Sequence, residues 1–157
     1  MAREDKWDEV FNIYKWTPLA HKAKITNSGD TALHIAVSDD NEKRFEELIT
    51  EIISKGSEGK KALKVKKEQG NTALHAAALM GSVRMCQRIA KVDPLLVGVR
   101  NEDGETPFFL AAVHGKKEAF LCLLEVCGSK DTCEDYSRRN DGDTILRSCC
   151  RSWRLFW

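Results

Sequence analysis

Apolar residues recur at three- and four-residue intervals in several stretches of this chain, the spacing that places side chains on one face of an α-helix. Phe45, Leu48, Ile49, Ile52 and Ile53 form one such stripe. Val83, Cys86, Ile89 and Ala90 form a second, with Ser82 placed to cap it, and Ala119, Phe120, Leu123, Leu124 and Cys127 form a third that ends near Gly128. Near the N-terminus, Trp7, Val10, Phe11 and Tyr14 read as a further helix. All these are expected core positions. Shorter apolar segments alternate with the stripes and are rich in small residues: Ala36, Ala76, Ala77, Ala78, Ala111 and Ala112. Small side chains let helices approach closely, so these segments are expected to be the packed partners of the longer helices.

One string, Gly-polar-Thr-x-apolar, opens each short segment. It occurs as Gly29-Asp30-Thr31-Ala32-Leu33-His34, Gly70-Asn71-Thr72-Ala73-Leu74-His75, Gly104-Glu105-Thr106-Pro107-Phe108-Phe109 and Gly142-Asp143-Thr144-Ile145-Leu146-Arg147, with the threonines 41, 34 and 38 residues apart. Each residue type has a task. Glycine supplies the positive φ of a tight turn. Threonine is a favoured helix N-cap, and proline, as at Pro107, suits the first helical turn. A second echo lies upstream, where Pro18-Leu19 and Pro94-Leu95 precede Thr31 and Thr106 by similar intervals. The two connectors are expected to be built alike.

The string and its spacing resemble the ankyrin repeat, whose marker is Thr-Pro-Leu-His-x-Ala and whose period is about 33 residues. The resemblance covers almost the whole chain. It implies an all-α solenoid of helix-turn-helix repeats with short β-hairpin or turn fingers, in one domain over residues 1–146. That domain comprises a partial opening repeat at 5–28, repeats starting near 29, 70 and 104, and an incomplete repeat from 140. It also implies that His34 and His75 brace their turns through hydrogen bonds. Recognition in such arrays uses finger tips and exposed faces of the short helices, which here places protein contacts at Lys67, Glu68, Gln69 and Asn71, then Asn101, Glu102, Asp103 and Glu105, and finally Asp141 and Asp143. The later tips are expected to form an acidic ridge. Met80 and His114 are further candidates on the short-helix face. Within the family, the linker Ala23-Lys24-Ile25-Thr26-Asn27-Ser28, the run from Gly29 to Val37 and the segment Asn140 to Leu146 look like a plant subgroup. In that subgroup a cytosolic array precedes a block of membrane-spanning helices, and its members are associated with defence and stress signalling.

The pattern breaks in the fourth copy. Arg147 replaces histidine, and residues 148–157 show no alanine-rich helix, while Trp153 and Trp157 stand among Arg147, Arg151 and Arg154 with no acidic residue. The expectation is an aberrant basic-aromatic tail over 147–157 on a truncated array, frayed on its C-terminal side. A membrane-surface anchor, with Cys149 or Cys150 as lipid acceptors, is the alternative. Smaller departures are Phe109 at a histidine position and Asp39-Asp40-Asn41 where glycine often ends the short helix. The extra residues from Lys55 to Lys67 read as a longer solvated loop. Its Lys60, Lys61, Lys64, Lys66 and Lys67 offer a rival nucleic-acid patch, although no aromatic interleaves with them as base stacking requires.

Composition narrows the function classes. Lys and Arg total 25 against 24 Asp and Glu, so no global field draws the chain to phosphate backbones or anionic lipid. Apolar residues at 42% and charged residues at 31% fit a globular protein. The N-terminal ten residues alternate charges where a secretory signal needs an apolar run, and no window approaches a membrane span. A cytoplasmic protein with six reduced cysteines is expected. The spacing of Cys122, Cys127 and Cys133 lacks the two-residue step of zinc knuckles. No phosphate-cradling loop, paired-histidine motif, nucleophile elbow or kinase signature is present, and His21 has no evident associate. The reading is therefore a protein–protein interaction module with no catalysis, cofactor, metal or small-molecule substrate, and a partner whose identity the sequence does not name.

Overall fold

The computed structural model describes residues 2–147, and among these the regular structure is helical. The helices are α1 (Ala2–Trp16), α2 (Ala32–Ser38), α3 (Glu42–Ser54), α4 (Ser57–Leu63), α5 (Ala73–Met80), α6 (Val83–Val92), α7 (Pro107–Val113), α8 (Lys117–Cys127) and α9 (Lys130–Tyr136), with residues 145–147 helical at the end of the described stretch. The short helices α2, α5 and α7 pack on one another in sequence, as do the longer α3, α6 and α8, and α1 rests on α3. This is an all-α repeat solenoid.

The recurrent string makes each short helix begin in the same way. Thr31, Thr72 and Thr106 occupy the N-cap positions, all in extended conformation and all buried. The Thr106 hydroxyl accepts the Phe109 N–H at 3.0 Å, satisfying a donor that the first helical turn would otherwise leave without a partner. The short helices also end alike, in six-residue closures where the N–H of Asn41, Ser82 and Lys116 reaches the carbonyls of Ala36, Ala77 and Ala111. That closure needs a left-handed residue just before the donor. Gly81 and Gly115 supply it, and in the first repeat Asp40 takes the same conformation at φ 52°.

Between the layers the core is continuous, from Leu33, Phe45, Leu48, Ile49 and Ile52 through Leu74, Cys86 and Ile89 to Ala111, Ala119 and Leu123. The stripes are narrower than the sequence predicts. Ile53, Val83 and Leu124 are exposed because each outer helix buries only the side turned toward the inner layer and its neighbours, while Met85 is buried in their place. Ser82 sits at the N-cap of α6 but makes no side-chain capping bond, the turn being closed by its backbone N–H instead.

Two connectors are matched 3₁₀ turns, Pro18–Lys22 and Pro94–Gly98, each leaving its leucine, Leu19 or Leu95, in solvent. The other two differ from expectation. The stretch read as a solvated loop contains α4, with Gly59, Ala62 and Leu63 buried. Gly59 allows this: a Cβ there would stand 1.8 Å from the Ile52 carbonyl oxygen. Past Gly128, where no further helix was expected, α9 is capped by Ser129 and lays Tyr136 against Gly98. The longer threonine intervals, 41 and 38 residues, are thus taken up by extra helical turns. His21, read as isolated, is buried with its ring 4.5 Å from that of Tyr14 and its Nε2 2.8 Å from the Tyr14 carbonyl. Cys149, Cys150 and the aromatic tail lie outside the described residues.

Candidate protein-binding surface

The segments before the short helices fold into four fingers of one design. Each is closed by a backbone bond onto the residue before the threonine: Lys67 N–H to Asn71 O, Asn101 to Glu105 and Arg139 to Asp143, and in the first finger, where the closure is one residue longer, Ile25 to Asp30, all at 2.8–3.0 Å. Gly29, Gly70, Gly104 and Gly142 turn each finger at φ 75–82°, a region L-residues rarely adopt. The fourth finger adds an antiparallel bridge between Arg138 and Thr144.

Successive fingers are tied together. Backbone bonds run from Glu68 N–H to Ser28 O at 2.7 Å and from Glu102 N–H to Gln69 O at 3.0 Å. His34 Nδ1 accepts the Thr31 N–H at 3.3 Å, which leaves Nε2 to donate to the Asn71 carbonyl at 3.2 Å. His75 repeats the arrangement one unit on, with Nδ1 3.1 Å from Thr72 N and Nε2 3.1 Å from the Glu105 carbonyl. Burial holds both imidazoles below the usual histidine range, His75 at about 4, so each works as a neutral clamp. The bracing role implied by the family resemblance therefore extends across the repeat boundary. In the third repeat Phe109 has no such reach, and the Thr106 hydroxyl donates to the Tyr136 carbonyl at 2.7 Å instead.

The sequence-predicted contact residues divide into three sets. Glu68, Gln69, Glu102, Asp103 and Asp141 are exposed at the tips, and Met80 and His114 are exposed at the far ends of α5 and α7. Lys67 and Glu105 are half-buried, Lys67 3.3 Å from Asp30 and Glu105 3.7 Å from Arg139. Asn71, Asn101 and Asp143 correct the expectation of outward-facing side chains, because all three are buried. Asn101 Nδ2 donates to Asn71 Oδ1 at 3.0 Å while its own Oδ1 accepts the Glu105 N–H at 2.9 Å, so this pair builds the fingers from inside.

The acidic ridge is also modified. Arg139 donates to the Asp103 carbonyl at 3.2 Å and lies 3.8 Å from Asp141. Arg100 donates to the carbonyls of Gly104, Arg138 and Asp135, and Lys66 to that of Arg100. Arg100 and Arg139 were not among the predicted residues, and Lys66 was named only in the rival basic patch. A signal existed for two of them, since Lys66 and Arg100 each stand six residues before a cap threonine, but it shows only when the copies are laid in register.

Four of the lysines of 55–67 are paired within the fold: Lys55 with Glu51, Lys61 with Glu58, Lys64 with Asp93 and Lys67 with Asp30. Among the described residues no three His, Cys, Asp or Glu side chains converge as a metal site. Burial pushes the Cys86 thiol up to about 12, far from a nucleophile's range.

Comparison with known proteins agrees with this architecture. The family model described as ankyrin repeats (three copies) matches residues 8–94. The probable 26S proteasome regulatory subunit p28 of Saccharomyces cerevisiae is 30% identical over 132 residues, covering 84% of this chain and 54% of that protein. The chain thus spans about half the length of this curated relative. A chain in the crystal structure of the yeast ribosomal protein Rps3 in complex with its chaperone Yar1 shares the fold, with a TM-score of 0.62 and 23% identity over 77% of this chain and 92% of that one.

Proposed function

The chain belongs to the ankyrin repeat family, and on that premise we propose that it is a non-enzymatic protein-binding module whose recognition surface is the row of finger tips flanked by the ends of the short helices. The observation that carries this reading is the set of exposed side chains Glu68, Gln69, Glu102 and Asp103 on fingers whose backbones are bonded to one another, with Asp141 on a fourth finger that the Arg139 side chain ties to the Asp103 carbonyl. A partner that docks there orders few main-chain atoms, so little affinity is lost to conformational entropy. Lys67 and Glu105 flank the tips, and Met80 and His114 extend the surface onto α5 and α7.

We place the module in the cytoplasm, as part of a plant signalling protein of the defence and stress type. The linker Ala23–Ser28, the run Gly29–Val37 and the segment Asn140–Leu146 support this through their likeness to that subgroup. Among the described residues no helix is long and apolar enough to cross a membrane.

The test is affinity capture from a plant extract with the full chain and with the triple reversal Glu68→Lys, Glu102→Lys, Asp103→Lys. Specific partners of the wild type should disappear from the variant, whose helical content should be unchanged. An identical set of captured proteins would overturn the assignment of the surface.

A further inference from the structure

Six lysines fall between Lys55 and Lys67, and five of them have partners: four in the ion pairs above, and Lys66 on the Arg100 carbonyl at 2.9 Å. Lys60 makes no ion pair among the described residues. It stands on the rim of a groove of about 330 Å³ that is lined by Ile53, Gly56, Lys60, Arg88, Lys91 and Val92, from α3, the turn into α4, α4 itself and α6. Lys91 likewise has no ion pair among the described residues. Arg88 is held at Nε by Glu46 Oε2 at 3.1 Å, and the same carboxylate serves Arg84 at 3.2 Å. Three cations therefore line the groove, no carboxylate is among its lining residues, and the Glu46 carboxylate that holds Arg88 also serves Arg84.

The floor is apolar. Ile53 is 40% exposed, the one residue of its stripe that the core leaves uncovered. Gly56 keeps the rim low, with nothing within 4 Å of where its Cβ would stand.

We propose that this groove is a second docking site, for an acidic peptide segment of a protein partner. Its carboxylates meet Lys60, Arg88 and Lys91 while one branched apolar side chain covers Ile53 and Val92. Charge complementarity selects the acidic segment. The apolar floor selects a peptide over a free oxyanion, which gains nothing from Ile53 and Val92, and no aromatic lines the groove to stack a nucleobase. No finger residue contributes, so the site is separate from the tip surface.

The test is a fluorescence-anisotropy titration of the full chain with a fluorescein-labelled Asp-Glu-Leu-Asp-Glu peptide. Saturable binding is expected, weakened about tenfold or more by the double variant Lys60→Glu, Lys91→Glu and less strongly by Ile53→Ser. Lys117→Glu, an exposed reversal on α8, should leave it unchanged, and all variants should keep the wild-type helical content. A peptide with Gly in place of Leu should bind more weakly. The proposal is overturned if the wild type shows no saturable binding or if Lys117→Glu weakens it as much as the groove variants. It is equally overturned if the Gly and Leu peptides bind alike, or if inorganic phosphate at the peptide's concentration displaces it completely.

Discussion

His75 Nε2 lies 3.1 Å from the backbone oxygen of Glu105, thirty residues on, while its Nδ1 takes the Thr72 N–H at 3.1 Å. One imidazole thus fixes the start of its own helix and the finger of the next repeat. Because stability in such arrays resides largely in the contact of nearest neighbours, this clamp belongs to the interface rather than to either unit. Replacing it with alanine leaves the buried Thr72 N–H without a partner and takes from the Glu105 carbonyl one of its two donors, the Asn101 N–H remaining, so His75→Ala should cost about 1–3 kcal/mol. Urea denaturation followed by circular dichroism measures it. A loss below about 0.5 kcal/mol, the usual effect of a surface change, would contradict the clamp.

The same clamp sets a pH dependence. Burial lowers the His75 pKa to about 4 in the folded chain, and His34 shifts in the same direction. The unfolded chain takes up these protons near pH 6.5, the folded chain only lower down, so the unfolded state binds more protons in between. Stability should be full above about pH 6.5 and fall as pH drops toward 4, with His75 alone accounting for about 3 kcal/mol. Denaturation midpoints at a series of pH values test this, and the fall should be shallower in His75→Ala. Stability rising with acid through that window would refute the neutral clamp.

Asp40 holds φ 52° where the next two repeats have Gly81 and Gly115. Its left-handed backbone carries a cost that glycine avoids, partly offset by glycine's greater freedom when unfolded. Asp40→Gly should therefore stabilise by about 0.5–1 kcal/mol, read as a higher melting temperature. A lower melting temperature would show that the Asp40 side chain contributes more than its backbone costs.

Gly59 distinguishes a packed helix from a loop at 57–63. A Cβ there meets the Ile52 carbonyl oxygen at 1.8 Å, so Gly59→Ala should destabilise by about 2–3 kcal/mol, whereas Ser57→Ala on the exposed side should be near neutral. Equal, small effects from both would restore the loop reading.

These cases show where the sequence was legible. The repeated string is a set of backbone instructions, a positive-φ glycine, a threonine cap and a small-residue face, and each acts within a few residues, so the short helices followed from it directly. The helix α4 did not, because Gly56 and Gly59 carry the signature of a loop, whereas Gly59 is the residue that lets the segment pack on Ile52. Asn71 and Asn101 have the chemistry of exposed turns, yet their mutual bond across thirty residues turns them inward. The stacking of His21 on Tyr14 joins a helix end to a connector and leaves no periodic trace. For the surface, Glu68, Glu102 and Asp103 were readable as tips, while the arginines that thread between them became visible only with the fingers in register.

On the proposed function, partners contact the finger tips and the ends of the short helices. This is tested most directly by placing a photoactivatable phenylalanine analogue singly at Glu102, Met80 and, as a control on the outer helix α8, Glu118, then irradiating the full chain in a plant extract. The same discrete protein adducts are expected from Glu102 and Met80, and none of them from Glu118. Adducts that form from Glu118 and not from the other two positions would contradict it.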